Sequence, residues 1–452
     1  MKEIIEIQRE FFNSNATKSF DFRISQLKKF KTLLKENEEA IHSAIYKDFK
    51  RSSTENYTAE IGLIYHEINN CCKNLKKWGK RQKVKTNLLN MPSKSYIIPE
   101  PLGVTLIIGA WNYPYILLFG PMIAAISAGN TAVLKPSELS LNTSSIIAKI
   151  INENFEPRFL KVIEGGIAET TELLNQKFDK IFFTGSPAVG KIVYQAAAKN
   201  LTPVTLELGG KSPAIFTEDC NLKIGIKRLI WAKFLNAGQT CIAPDYVLVH
   251  ESQKEKFLKL AITELKKSQY SIENDNYVQI INRKNTQRIV DLMDSSKIYY
   301  GGNFNIETRY IEPTLMTNIN FDDKVMQEEI FGPILPIISY TNLDQMIANI
   351  KSFPKPLALY LFTNNNFIKN KILNEISFGG GAVNDAVMHF TNSNMPFGGV
   401  GNSGTGSYHG KYGFNEFSHF KSILAKPTFF EPPLKYSPYS KTKLNFIKKI
   451  FE

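Results

Sequence analysis

Hydrophobic positions recur with two different periods along this chain. Through residues 1–80 the spacing is helical: Leu27, Phe30, Leu33, Leu34 and Ile41 share a face, as do Ile61, Ile64, Ile68 and Leu75. Residues 84–100 change character, and two strands, 84–89 and 93–98, are predicted around Asn90-Met91-Pro92 as a hairpin-like arm. From Val104 short apolar runs alternate with amphipathic ones. Strands are predicted at 104–109, 131–134, 160–164, 180–183 and 204–207, with helices at 115–127, 141–154, 169–175 and 189–198 between them. A second alternating set places strands at 214–216, 246–250, 334–339, 358–362 and 380–384, and helices at 222–235, 253–267, 286–294 and 344–351. Apolar strands alternating with amphipathic helices are the pattern of a parallel sheet covered on both faces. The fold class is therefore α/β, with two parallel-sheet units in series and a natural hinge at Glu207-Leu208-Gly209-Gly210-Lys211.

Composition narrows the picture. A chain of 452 residues exceeds one hydrophobic core. With 43% hydrophobic and 21% charged residues it matches an ordinary soluble protein. Cys71 and Cys72 are adjacent and Cys220 stands alone, so neither a disulfide scaffold nor a metal-ligand spacing is present, and a reducing, cytoplasmic setting is expected. The net charge of +13 is carried mainly by lysines spread through helices. No arginine-rich stripe interleaved with aromatics accompanies it, so nucleic-acid recognition has little support. The start, Met1 to Glu6, carries acids and does not read as a signal peptide. The longest apolar stretch, Tyr113 to Ala128, is broken by Pro114, Gly120 and Pro121. It falls short of the roughly 20 residues a spanning helix needs.

The chemistry centres on Asn236-Ala237-Gly238-Gln239-Thr240-Cys241, between a predicted helix and a predicted strand. Small neighbours leave room for a ligand, and a thiolate there can attack a carbonyl carbon. A buried small hydrophobe is the competing reading of Cys241. Thr184-Gly185-Ser186-Pro187-Ala188-Val189-Gly190 follows a strand and opens a helix, whose free N–H groups suit a pyrophosphate, although a plain strand-to-helix turn has the same form. Lys135 and Glu138, three apart at a strand end, can both reach ribose hydroxyls, or Glu138 can cap the next helix. Asn112, in Trp111-Asn112-Tyr113-Pro114, can donate to an oxyanion or be a turn residue. Glu207 can be a general base or a solvated hinge acid. Glu329-Ile330-Phe331-Gly332-Pro333 joins an acid, an aromatic ring and a turn, or is an ordinary loop.

Taken in order with Pro396-Phe397-Gly398-Gly399, these motifs resemble the aldehyde dehydrogenase superfamily over nearly the whole chain. The segments from Met388-His389-Phe390 to Asn402-Ser403-Gly404, Tyr408-His409-Gly410 and Phe417-Ser418-His419 are similar to its class 3 branch, which takes fatty and aromatic aldehydes. The resemblance implies NAD(P)-dependent oxidation of aldehydes to carboxylic acids through a thiohemiacetal and a thioester on Cys241. It implies Glu207 as the group that activates water and Asn112 as an oxyanion donor. It assigns Trp111, Lys135, Glu138, Thr184, Gly185, Ser186, Val189, Gly190, Glu329 and Phe331 to cofactor binding. NAD is expected, with NADP accepted.

It also implies a cofactor domain from residues 1–81 and 101–208, a catalytic domain at 209–394, and a bridging element from 82–100 and 395–425 that makes a homodimer. Residues 426–452 form a tail in which Leu444, Ile447 and Phe451 can make weak membrane-surface contact or dock on the protein itself. Tyr113, Phe234, His389 and Phe390 are the candidates for a lipophilic substrate pocket. Two other readings remain at this point: an acylating or reductive enzyme using the same thioester, and a catalytically silent basic binding protein on the same fold.

Overall fold

A computed structural model describes residues 1–451 of the chain. Its first sheet contains the parallel strands Val104–Ile108, Thr131–Lys135, Leu160–Val162, Lys180–Thr184 and Val204–Glu207. The strand 104–108 lies between 131–135 and 180–184, so the order reverses beside it. Such a reversal opens a crevice at the carboxyl ends of the strands. Every residue of strands 104–108, 131–135 and 180–184 is buried, which is why they read as apolar runs without alternation. Gly404–Thr405 adds an antiparallel edge, with Gly404 opposite Glu207.

Helix Ile116–Ala128 is buried at every position. The apolar stretch noted in the sequence is thus a core helix, and among the described residues no helix is long and apolar enough to cross a membrane. The helix stops at Gly129, at φ 100°, where a Cβ would lie 2.5 Å from the Arg23 guanidinium. Asn130 then joins three segments: its Oδ1 accepts from the Gly103 N–H at 2.8 Å, and its Nδ2 donates to Ala125 O and Phe417 O at 3.1 and 2.9 Å.

The second sheet runs in the order 298–300, 314–316, 334–340, 246–250, 213–216, 358–362, 380–383, parallel except for the first pair. The strands Ile298–Tyr300 and Thr314–Met316 are absent from the expected set, because three residues are too short to display a period. Helix Asn366–Glu375 is also unforeseen: it buries Ile372 alone, so it carries almost no amphipathic signal.

The arm differs from the expected hairpin. Gln82–Val84 and Lys94–Pro101 pair antiparallel, while Leu88–Asn90 forms a 3-10 turn in place of the predicted continuation to residue 89. The Asn90 amide donates to Asn87 Oδ1 at 2.6 Å, a local bond that competes with strand pairing. Lys94–Pro101 pairs on its other side with Ser418–Ala425. Residues 395–425 serve more than this small sheet. Gly404–Thr405 extends the first sheet, and in helix Gly410–Glu416 a Cβ on Gly413 would stand 3.0 Å from Ala124 Cβ.

Replacing Asn130 with Ala removes three hydrogen bonds and strands the buried Gly103 N–H. The expected loss is about 2–4 kcal/mol, read as a lower thermal midpoint with unchanged secondary structure before the transition. An unshifted midpoint contradicts it.

Candidate active site

The site forms where the carboxyl ends of the first sheet meet the amino ends of the second. Asn112, Lys135, Thr184 and Glu207 come from the first edge. Cys241 precedes strand Tyr246–His250, and Glu329 and Phe331 precede strand Ile334–Tyr340. Contact across the seam is direct. Asn112 Nδ2 donates to Gln239 O at 3.0 Å, and the Tyr113 hydroxyl bonds Thr240 Oγ1 at 2.7 Å. The Trp111 ring meets Phe331 edge-on at 5.4 Å.

The cysteine loop is held in a costly shape. Asn236 and Ala237 have φ of 52° and 50°, and Gly238 follows at φ 74°. A Cβ on Gly238 would fall 2.3 Å from Gly332 O, so only glycine fits. Strain of this kind costs about 1–3 kcal/mol per residue and persists where surroundings over-determine it. Here the surroundings are polar. Arg51, fully buried, donates to Glu60 Oε1 at 2.6 Å, and to Asn112 O and Asn236 Oδ1 at 2.5 Å each. Glu60 Oε2 accepts from the Tyr115 and Ile116 N–H groups at 2.8 and 2.9 Å. Burial pushes Glu60 up to about 7 against the pull of Arg51 and of those donors. Asn236 Nδ2 donates to Asn112 O and Gln239 O at 3.0 and 3.1 Å. Sequence reading missed Arg51 and Glu60, because nothing in a helical stretch marks a charge that will be buried.

Cys241 is half-buried. Burial raises its thiol well above the usual range, and Glu329 and Glu207 raise it further. Glu207 is 3% exposed, and neither of its oxygens has a hydrogen-bond partner. Burial and then the charge of Glu416 push it well up. Glu329 lies over Gly209, where a Cβ would be 2.0 Å from its Oε2. Burial, then Asp245, lift it to about 8. Lys233 is fully buried with no partner for its Nζ and falls to about 8 through burial, with Asp245 and Glu329 opposing and Lys211 assisting. It too escaped sequence reading, since a lysine in the last turn of a helix is ordinarily solvated.

The residues expected to bind a dinucleotide lie along the carboxyl edge of the first sheet. Ser186 caps helix Pro187–Ala198 by accepting from the Val189 N–H at 3.4 Å. Gly185 N donates to Glu207 O at 3.0 Å. A Cβ on Gly190 would press on Leu208 at 2.8 Å, so the helix packs closely behind the turn. The Thr184 hydroxyl is buried without a partner. On the next strands, Lys135 Nζ donates to Pro136 O at 2.7 Å and stands 3.7 Å from Glu138 Oε2. Of these groups only the Thr184 hydroxyl is without a partner, and their polarity suits an anionic, hydroxyl-rich ligand. Among the described residues no group of three or more metal-binding side chains occurs.

The four pocket candidates separate. Phe390 lines a cavity of about 30 Å³ with Leu63, Glu67, Ile116, Tyr408 and His409. Tyr113 supports the cysteine loop through Thr240, beneath the Arg51 guanidinium at 4.8 Å. Phe234 is buried against Tyr270 at 5.8 Å, within the core. His389 packs near Tyr360 at 5.9 Å; burial lowers it to about 4, and neither ring nitrogen has a partner.

Known proteins resemble this chain along nearly its whole length. The description "Aldehyde dehydrogenase family" matches residues 1–423. The 4,4'-diaponeurosporen-aldehyde dehydrogenase of Staphylococcus aureus is 48% identical over 98% of this chain and 97% of its own. Aldehyde dehydrogenase family 3 member A2 of Rattus norvegicus is 45% identical over 99% and 93%. The dimeric NADP-preferring aldehyde dehydrogenase of Canis lupus familiaris is 42% identical over 96% of each chain. The substrate-bound Staphylococcus aureus AldH structure superposes with a TM-score of 0.97 at 47% identity, covering 100% of this chain and 99% of its own. The α/β architecture is thus that of known aldehyde dehydrogenases.

Two outcomes are expected. Arg51→Met leaves Glu60 buried without its cation and costs about 3–5 kcal/mol; adding Glu60→Gln recovers part of it, measured as unfolding midpoints. A double variant no more stable than the single one contradicts the pairing. For the thiol, a raised pKa means less thiolate at any given pH, so iodoacetamide labelling of Cys241 climbs through pH 9 without a plateau. Glu329→Gln removes a negative neighbour that is ionised above about pH 8, so labelling at pH 9 becomes faster. Slower labelling refutes the electrostatic account.

Proposed function

The chain belongs to the aldehyde dehydrogenase family, and from that premise we propose how its own residues oxidise an aldehyde to a carboxylic acid. The family uses NAD or NADP, and the bound oxidised dinucleotide supplies the hydride acceptor. Cys241, its thiol proton lost to water, attacks the carbonyl carbon as the thiolate, because hydride leaves a tetrahedral alkoxide far more readily than a flat carbonyl. The alkoxide oxygen accepts from Asn112 Nδ2, whose second N–H is free of the bond to Gln239 O, and from the Cys241 backbone N–H. Each such donor is worth ~10²–10³ in turnover. Loss of hydride leaves a thioester. Glu207 then removes a proton from water, the oxygen attacks the thioester carbon, and the sulfur departs as thiolate.

Glu207 carries this reading: a buried, unpartnered carboxylate with raised proton affinity is a base held ready for a water. It favours water over another acyl acceptor. Trp111, Phe331 and Glu329 would hold the nicotinamide end, Thr184 to Gly190 the diphosphate, and Lys135 with Glu138 the adenine ribose. Glu138 beside that ribose disfavours a 2′-phosphate while Lys135 tolerates it, so NAD is preferred and NADP accepted.

The apolar wall at Leu63, Ile116 and Phe390 supports a lipophilic aldehyde, as does the relative named for 4,4'-diaponeurosporen-aldehyde. Strand Ser418–Ala425 offers a largely exposed edge beside exposed Phe420 and Leu424; with the dimeric canine relative in view, it supports a homodimer. Four free cysteines suit a reducing, cytoplasmic compartment. Helix Lys441–Phe451 buries nothing and exposes Leu444 and Phe451 among lysines, which supports weak contact with an anionic membrane surface.

The test is NADH formation across aldehydes of graded chain length. Glu207→Gln is expected to release one burst of NADH and then turn over ~10²–10⁴-fold more slowly. An unaffected steady state refutes the assignment of Glu207, and Cys241→Ala with undiminished activity refutes the whole reading.

A further inference from the structure

An ion pair outside the site stands close to the strand that carries Glu207. Lys180 is 3% exposed, and its Nζ donates to Glu416 Oε1 at 2.7 Å. The same oxygen accepts from the Thr205 hydroxyl at 2.5 Å. A largely buried ion pair stabilises little by itself, because desolvation offsets the attraction. What it does is fix a charge in one place. The edge strand confines Glu416 further: a Cβ on Gly406, at φ 82°, would stand 2.8 Å from Glu416 Oε1 and 2.9 Å from Thr205 Cγ2.

Strand register locates that charge. Gly404 pairs with Glu207 and Thr405 with Leu206, so Gly406 comes level with Thr205. Thr205 and Glu207 are two apart on one strand and point to the same face. The Glu416 carboxylate, held at Thr205, is thus about 7 Å along the strand from the level of Glu207. Lys180 starts further off, since Ile181 pairs with Val204 while Thr184 pairs with Glu207. The ion pair therefore lies along the strand with its negative end toward Glu207. The other titratable groups that bear on Glu207 are the Cys241 thiol, from its loop, and the Tyr408 phenol, and burial holds the proton on both. Burial and then Glu416 raise the proton affinity of Glu207, in agreement with this placement.

We propose that Glu416 is a positioning residue for the hydrolytic half of the reaction: anchored by Lys180 and Thr205, its charge sets the pH at which Glu207 begins to take a proton from water. Glu416 acts through Glu207 alone. A unit charge at about 7 Å, with an effective dielectric constant of about 20 and partly offset by Lys180 behind it, moves Glu207 by about half to one pH unit. The chemical step keeps its form. Glu207 takes the proton as the water oxygen attacks the thioester carbon, and the carbon–sulfur bond breaks with Cys241 leaving as thiolate. No oxidant or reductant is consumed. The inference rests on the aldehyde-oxidising reading above and adds what tunes its base.

The acetyl-enzyme, made on Cys241 with p-nitrophenyl acetate and freed of excess ester, is followed by intact mass across a pH series without dinucleotide. Glu207 acts only when ionised, so deacylation above the level of Glu207→Gln rises with pH. Lys180→Gln combined with Glu416→Gln keeps hydrogen bonding and removes both charges. Its rising limb is expected to move to lower pH by about half to one unit, and its plateau to fall about two- to threefold as the base weakens. Lys180→Met alone leaves the negative end without its offset, so its limb moves to higher pH. Limbs that coincide with the parent's overturn the proposal. So do shifts of the same sign in the two variants, or a lower plateau with an unmoved limb, the mark of a structural role. If Lys180→Met does not fold, the double variant carries the test alone. Deacylation of Glu207→Gln equal to the parent overturns the role of Glu207 instead, so the two failures are distinct.

Discussion

One buried guanidinium sets the frame on which the rest depends. Arg51 reaches from the amino-terminal helices to Glu60, to the carbonyl of Asn112 at a strand end, and to Asn236 at the start of the cysteine loop. Desolvating an arginine is expensive, and the cost is offset only if nearly every donor is used. The Nε alone lacks a close partner, with Glu55 at 3.9 Å. Three chain segments far apart in sequence are therefore locked to one centre. The locking fixes which way Asn112 presents its amide and lets Asn236 and Ala237 occupy left-handed conformations they would otherwise leave.

Around that frame the electrostatics is deliberately unfavourable. Burial, and then Glu329 and Glu207, hold the proton on Cys241, while burial pushes those two acids up in turn. Groups whose proton affinities are displaced toward neutrality are what acid–base chemistry needs, and a stable core would not contain them. Lys233, buried without a partner between Asp245 and Glu329, belongs to the same arrangement. The free energy spent here is recovered in the two sheets and in the fully buried helix Ile116–Ala128.

The two sheets contribute unlike edges. The first offers carboxyl ends of strands, where helix N-termini and small loops bind a nucleotide. The second offers amino ends, through the segments that enter strands 246–250 and 334–340. The Cys241 loop, entering from the amino side, faces the carboxyl ends of the first sheet without either sheet being distorted. The late segment closes the seam, since Gly404–Thr405 pairs beside Glu207 before the chain passes Tyr408 and joins the arm.

How much of this was legible follows from the range of each interaction. Strand and helix alternation is a local property, so the α/β class and most element positions followed from hydrophobic spacing. The glycine turn at Gly185, the thiol loop at Cys241 and the acid at Glu207 were visible because turns and reactive side chains leave local marks. Three-residue strands such as 298–300 leave none, and the arm diverged at residues 85–90 because an Asn–Asn bond outweighed strand propensity. Arg51, Glu60 and Lys233 look like solvated helix charges in one dimension. Their roles depend on desolvation and on partners tens to hundreds of residues away, such as Arg51 with Asn236. The order of residues thus determined the two sheets and the thiol loop between them. Only packing in three dimensions decided which charges lost their water, and with it which side chains support the chemistry.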